Sequence, residues 1–329
     1  MKLIIQVPCL NESGTLAIAI EALPRKVPGF DKVEWLVIDD GSTDNTAELA
    51  KQLGVDHVVR HPVNRGLATA FMTGIHAGLR LGADVIVNTD ADNQYEASDI
   101  PKLTAPILAG EADMVIGGRP ISETEHFSWI KKKLQHLGSW AVRMASKTDV
   151  ADAPSGFRAI SRETAMRLNV FNPYTYTLET IIQAGLSNMR VLSVPIRTNE
   201  DLRPSRLVKS ISSYVRRSLV TILRVFITYR PLFAFAWLAL ALAIVGILLG
   251  ARFIYYYATG DGNGHIQSLI LASLLLMLAA LAGMCGVIAD LVATNRKLLE
   301  QINARIQGQA QTSRTMHDLG IGTQHDASR

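Results

Sequence analysis

Two stretches of this chain, Leu232 to Ala251 and Ile266 to Ala289, contain no charged residue. A helix rises about 1.5 Å per residue, so about 20 such residues reach across a hydrocarbon core of roughly 30 Å. The pattern predicts a transmembrane hairpin, the alternative being a buried helical pair inside a soluble domain. Flanking charges favour the membrane. From Leu202 to Arg230 no acidic residue occurs, while Arg203, Arg206, Lys209, Arg216, Arg217, Arg224 and Arg230 are basic. Arg296, Lys297 and Arg305 follow the second run, whereas the connector from Tyr255 to His265 carries only Asp261 as a formal charge. By the positive-inside rule both chain ends are expected in the cytoplasm, making this an integral membrane protein with two spans. Arg252 and Asp290, near opposite ends of the spans, can snorkel towards the headgroups.

The opening MKLIIQVPCLNE is broken by Pro8, Asn11 and Glu12 before a signal-peptide core could form, so no targeting segment is expected there. The two cysteines, Cys9 and Cys285, fall in an expected strand and an expected span. They offer neither a disulfide framework nor a C-x-x-C metal site, which fits a reducing cytoplasm. Net charge is only +4. With the basic residues gathered beside the spans, anionic lipid is a better partner for them than nucleic acid.

Residues 1 to about 120 alternate short apolar runs with helical patterns: Leu3 to Val7 then Ser13 to Leu23, Glu34 to Ile38 then Thr46 to Leu53, and His57 to Arg60 then Leu67 to Leu81. Val85 to Val87 then Ile100 to Leu108, and finally Met114 to Ile116, continue the series. Such alternation predicts an α/β domain with a mainly parallel sheet. We expect this domain over residues 1–200, with a helix around Ile130 to Ser146, a helix near Leu178 to Ala184 and a strand Arg190 to Ile196. Residues 201–230 carry Leu207, Ile211, Tyr214, Leu219, Ile222 and Phe226 at helical spacing among arginines, the pattern of basic helices lying in the membrane interface. An amphipathic helix packed on the sheet is the alternative. The hairpin then occupies 231–294, and the Gln-rich tail 295–329 is expected to be mobile.

In parallel α/β sheets, ligands collect beyond the carboxyl ends of the strands. Those ends read Pro8-Cys9-Leu10-Asn11-Glu12, Asp39-Asp40-Gly41-Ser42-Thr43-Asp44, Asn64-Arg65-Gly66, Asp90-Ala91-Asp92-Asn93-Gln94 and Gly117-Gly118-Arg119. Any one of them could be a helix cap or a turn. Their convergence on one edge points to a charged ligand. Asp90, Asp92 and the Gln94 amide are hard oxygen donors suited to Mg²⁺ or Mn²⁺, which complete their shells with water and substrate phosphates. A cation there would neutralise a departing diphosphate. No P-loop, no G-x-G-x-x-G after the first strand, no H-E-x-x-H and no zinc spacing among the eight histidines occur.

The segment Pro8 to Glu12, VIDDGSTDNT at Val37 to Thr46, NRGLATAF at Asn64 to Phe71, DADNQY at Asp90 to Tyr95 and SGFRAISR at Ser155 to Arg162 together resemble family 2 glycosyltransferases of the GT-A, Rossmann-like fold. Within that family the likeness is to polyprenyl-phosphate glycosyltransferases, including dolichyl-phosphate mannose synthases. The resemblance covers roughly residues 1 to 210 and implies roles by position. Pro8, Glu12, Asp39 and Asp40 would line the base and ribose pocket, beside Asp90 and Ala91. Asp90, Asp92 and Gln94 would hold the metal on the nucleotide diphosphate. Arg119, with Arg203, Arg206 and Lys209, would meet phosphates of donor or acceptor, and the loop from Asp152 through Ser155 to Arg158 would border the acceptor. Asp92, Asp152 and Arg119 would be the catalytic groups. Dolichyl-phosphate mannose synthases usually carry Leu-Gln-His where this chain has Asn93-Gln94-Tyr95.

The implied reaction is inverting transfer of a hexose from a UDP- or GDP-sugar to undecaprenyl or dolichyl phosphate. A phosphomonoester has its second pKa near about 6, so at neutral pH such an acceptor is already largely dianionic and needs no general base. A neutral lipid hydroxyl, as in a glycolipid synthase, would need one, for which Asp152 or Glu179 is available. A membrane scaffold that binds nucleotide sugars without turnover is a third reading. Self-association is compatible with each.

Overall fold

The computed structural model describes residues 1–120, 143, 146, 148–170, 176–199, 220, 224, 227, 229–260 and 266–318. The expected helix around Ile130 to Ser146 and the basic interfacial segment 201–230, with Arg203, Arg206 and Lys209, lie almost wholly outside the described residues.

The chain opens with β1 (Lys2–Cys9), α1 (Leu16–Glu21), β2 (Lys32–Asp39), α2 (Thr46–Gln52), β3 (His57–Arg60), α3 (Leu67–Arg80) and β4 (Val85–Asn88). A 3₁₀ turn at Ala97–Asp99 leads into α4 (Ile100–Leu108) and β5 (Met114–Gly118). Beyond come β6 (Arg158–Ser161), α5 (Arg162–Arg167), α6 (Thr177–Leu186) and β7 (Val191–Pro195). Among the described residues the strands form one sheet in the order β3-β2-β1-β4-β6-β5-β7. β6 runs antiparallel to both β4 and β5, and every other pairing is parallel. All strands but β6 therefore end on the same edge, and β6 begins there. The expected mainly parallel sheet is present with one antiparallel insertion, β6, which no expected strand covers.

β1 is buried along nearly its whole length, as a central strand covered on both faces must be. Leu3, Ile5 and Val7 share one face with Leu16 and Ile20 of α1, Trp35 and Val37 of β2, and Ile100 and Leu103 of α4 in a single apolar core. α3 covers the opposite face, and it comes close because Gly74 and Gly78 lack side chains. A Cβ on Gly78 would lie 2.9 Å from Ile86 Cδ1, and one on Gly74 would overlap Gln6 and Ile38. Gly41, at φ +75° immediately after β2, turns the chain where a side chain would strike the Val63 backbone.

A second unit, residues 219–299, contains α7 (Pro231–Ala258) and the greater part of α8 (Ile266–Asp318). α7 and the Ile266–Asn295 part of α8 are long and apolar enough to cross a membrane. They pair antiparallel through small residues: a Cβ on Gly246 would meet Leu276 at 3.1 Å, and one on Gly286 would meet Phe235 at 2.9 Å. Trp237, Ile247, Leu248, Met277 and Ile288 point outward. A buried pair in a soluble domain would hide these side chains, whereas lipid accommodates them. The first part of the Gln-rich stretch, as far as Asp318, continues α8. Its Ala, Arg, Gln, Leu and Glu residues are good helix formers, and Gly308 is the one glycine within it.

Candidate functional site

The common edge of the sheet gathers the ends of β1, β2 and β4, the exit of β5 and the entry to β6. At its first part, carboxylates are used to tie loops together. Asp39 is fully buried; Oδ1 accepts from the Ser42 backbone N–H at 2.9 Å and Oδ2 lies 3.1 Å from Arg60 Nε. Asp40 is equally occupied. Its Oδ1 accepts from His61 Nδ1 at 2.7 Å and the Arg65 N–H at 3.0 Å, and its Oδ2 from the Gly66 N–H at 2.8 Å. His61 reaches Thr73 on α3 through Nε2 at 3.0 Å. Asn11, at φ 54°, accepts from the Thr43 N–H at 2.8 Å, and its own N–H donates to Ser42 Oγ at 2.9 Å, joining the loops after β1 and β2. Burial opposes the charge of Asp44, but hydrogen bonds from Thr46 and Ser13 outweigh it and hold its carboxyl at about 2. Glu12 accepts from Thr15 Oγ1 at 2.9 Å, and Pro8 sits within β1 in register with Ile38.

The exit of β4 is different. Asp90 is partly exposed, Ala91 is buried, and Asp92 and Gln94 are half-buried. The turn is shaped by the Gln94 N–H donating to Asp92 Oδ1 at 3.2 Å and by Asn93 at φ 56°. The chain after β7 clamps it from behind: Asn199 donates from Nδ2 to the Asn93 carbonyl and from its backbone N–H to the Gln94 carbonyl, both at 2.9 Å. Burial raises the Asp90 carboxyl to about 6, and the neighbouring Asp92 charge raises it too, against the opposing charges of Arg119 and Arg158 and a hydrogen bond from Tyr95. A cation beside Asp90 would offset the opposing charge of Asp92. Among the described residues no group of three or more His, Cys, Asp or Glu side chains could enclose a metal. The donor set here, two carboxylates and an amide, fits instead a Mg²⁺ or Mn²⁺ whose shell is finished by diphosphate and water.

Opposite this turn, Asp152 is fully buried in a bidentate ion pair with Arg119, Nε to Oδ2 at 2.6 Å and Nη2 to Oδ1 at 3.1 Å. Burial works against the Arg119 charge, and Tyr95, Asp152 and Asp90 together more than offset it. The acceptor-side residues Ser155 and Arg158 are fully enclosed as well. Arg158 donates to the Thr177 carbonyl at 3.2 Å, to Thr180 Oγ1 at 2.6 Å and to the Ser155 carbonyl. These bonds brace α6 against β6. Ser155 Oγ has no hydrogen-bond partner among the described residues.

Three residues not singled out from the sequence complete the setting. Asn88 Nδ2 donates to the Gly156 carbonyl and to the Tyr176 hydroxyl, both at 2.9 Å, and its Oδ1 accepts from Gln6 Nε2 at 2.9 Å. Tyr176 stacks on Phe71 with ring centroids 3.9 Å apart. Gln6 and Asn88, polar residues inside otherwise apolar strands, were the signal that could have revealed them.

The family model for glycosyl transferase family 2 matches residues 4–171. The chain belongs to that family. An uncharacterised protein of Methanocaldococcus jannaschii is 32% identical over 202 residues, spanning 60% of this chain and 81% of its own length. An undecaprenyl-phosphate mannosyltransferase of Micrococcus luteus is 27% identical over 206 residues, spanning 60% and 83%. Among solved structures, glucosyl-3-phosphoglycerate synthase from Mycobacterium tuberculosis, in complex with Mn²⁺, UDP and glucosyl-3-phosphoglycerate, superposes with a TM-score of 0.51 at 23% identity, covering 67% of this chain and 79% of that one. That likeness shows the shared GT-A fold. This family 2 glycosyltransferase thus joins the GT-A domain to two helices able to cross a membrane.

Proposed function

We propose that this glycosyltransferase moves a hexose, with inversion, from a UDP- or GDP-sugar to a polyprenyl phosphate at the cytoplasmic face of a membrane. One observation carries the reading: a single chain joins a family 2 domain, with Asp90 and Asp92 at its sheet edge, to two helices long and apolar enough to cross a bilayer. The relative that acts on undecaprenyl phosphate supports the acceptor class. A divalent cation held by Asp90, Asp92 and Gln94 would neutralise charge on the leaving diphosphate. Pro8, Glu12 and the loops fixed by Asp39 and Asp40 are assigned to the nucleoside, next to Ala91. Arg119, whose Nε and Nη2 engage Asp152, is assigned to a phosphate, as are Arg203, Arg206 and Lys209.

Asp152 is poorly placed to be a base, because it is fully buried and both of its oxygens are engaged by the Arg119 guanidinium. A dianionic phosphate acceptor requires none, and positioning with charge neutralisation supplies the catalysis. That favours the phosphate over the hydroxyl of a neutral glycolipid. Incubating the full-length protein with undecaprenyl phosphate, Mg²⁺ or Mn²⁺ and radiolabelled UDP-glucose, UDP-N-acetylglucosamine or GDP-mannose should yield an organic-extractable product with one donor. Failure of every donor to label the lipid would refute the acceptor assignment.

A further inference from the structure

One residue, Asn199, takes hold of three consecutive carbonyls in the turn that follows β4. Its Nδ2 donates to the Asn93 carbonyl at 2.9 Å and to the Tyr95 carbonyl at 3.4 Å, and its backbone N–H donates to the Gln94 carbonyl at 2.9 Å. The middle carbonyl belongs to a residue assigned to the cation. Asn93 sits at φ 56°, a left-handed conformation that a residue with a side chain keeps only where its surroundings fix it. The hold of Asn199 on both sides of Asn93 supplies that fixing.

Asn199 is itself anchored. Two residues earlier, the Arg197 N–H donates to Asp99 Oδ2 and its Nη2 to Asp99 Oδ1, both at 2.7 Å, and Asp99 is fully buried. The Glu96 N–H donates to the Arg197 carbonyl at 3.2 Å, and Thr198 forms an antiparallel bridge with Tyr95. Residues 197–199 are therefore a strap lying antiparallel to residues 94–96. A turn braced in this way has little freedom to widen around an ion. Mg²⁺ demands near-ideal octahedral geometry, whereas Ca²⁺ takes a larger and more variable set of oxygens, so selectivity between them follows cavity size, ligand number and flexibility. Mn²⁺ is also suited to octahedral oxygen ligands and can be followed directly.

We propose that Asn199 is a positioning residue that fixes the 90–95 turn in one shape and thereby sets the preference of the site for a small octahedral cation over Ca²⁺. This rests on the metal reading of Asp90, Asp92 and Gln94 given above.

The test uses the full-length protein with UDP, titrated with Mn²⁺ while free Mn²⁺ is followed by electron paramagnetic resonance, and then with Ca²⁺ to displace the bound ion. Asn199→Ala removes the Nδ2 bonds and keeps the backbone N–H. It should weaken Mn²⁺ binding about tenfold, the size expected for losing one or two hydrogen bonds, and weaken Ca²⁺ binding less, so that the preference for Mn²⁺ narrows. Asn199→Leu, close to asparagine in shape but without the donor, should behave alike. Asp92→Asn tests the metal reading by itself and should weaken Mn²⁺ binding at least as much. If Asp92→Asn weakens Mn²⁺ binding and either Asn199 variant does not, the positioning role is overturned and the metal reading stands. Equal loss of Mn²⁺ and Ca²⁺ in the Asn199 variants overturns it too, since a merely damaged fold would lose both ions alike. If Asp92→Asn has no effect, the metal reading falls, and the inference with it.

Discussion

Asp39 and Asp40 at the end of β2, and Asp90 and Asp92 beyond β4, are the same residue types at the same edge of one sheet, yet their surroundings are opposite. Asp40 receives three protein donors and is satisfied without any ligand, whereas Asp39 accepts a backbone N–H on Oδ1 and has the Arg60 guanidinium beside an Oδ2 that no hydrogen bond among the described residues reaches. Burial, and after it the neighbouring Asp92 charge, pushes Asp90 up to about 6. Asp40 holds loops in place, while Asp90 and Asp92 are the pair to which the proposed function assigns a cation. Counting the donors around each carboxylate separates scaffold from chemistry where residue type does not.

The comparison can be broken by substitution. Asp92→Asn should cut sugar transfer by about 10²- to 10³-fold, the range for removing one preorganised electrostatic contact, while leaving the thermal midpoint near wild type. A stability loss without a catalytic one would place Asp92 with the scaffold. Arg119→Ala should be the most destabilising of the set, by about 3–5 kcal/mol in denaturant titration, because it leaves the fully buried Asp152 without its cation. Asp40→Ala should cost about 2–3 kcal/mol by orphaning His61 and the N–H groups of Arg65 and Gly66. It should weaken nucleotide binding only through the displaced loop.

The smallest effect lies at the opposite end of the sheet, where Glu34 meets Lys2, Lys32 and His57. Burial opposes its charge, but those three hydrogen bonds hold its carboxyl at about 2, below the ordinary 4.5. A lowered folded pKa means that the stabilisation is complete above pH 4.5 and fades as pH falls towards about 2. Glu34→Gln should therefore cost about 1 kcal/mol at neutral pH, and the gap from wild type should close in acid. A gap independent of pH would show that the ion pairs contribute nothing.

The strands up to β5 and the two apolar runs were legible because each rests on a local pattern: an apolar run bounded by turn residues, or an uncharged stretch of sufficient length. The Asp90-Ala91-Asp92 turn was legible because its donors are adjacent in sequence. β6 was not, since it pairs antiparallel with β4 and β5, which lie tens of residues earlier, and no local pattern announces that pairing. The enclosure of Arg158 was hidden too, because it depends on Thr177 and Thr180, which α6 brings from later in the chain. Asp40 illustrates the same limit. A carboxylate at a strand end announces polarity, while the donors that consume it are fixed only by the folded loop.

The central claim is that the attacking group is a lipid phosphate that needs no base. Offering the purified, membrane-reconstituted enzyme equal amounts of undecaprenyl phosphate and undecaprenol, with the labelled donor it accepts, tests this most directly. The account predicts label in the phosphate-linked lipid alone, and label in the alcohol-derived glycolipid, or in neither, would contradict it.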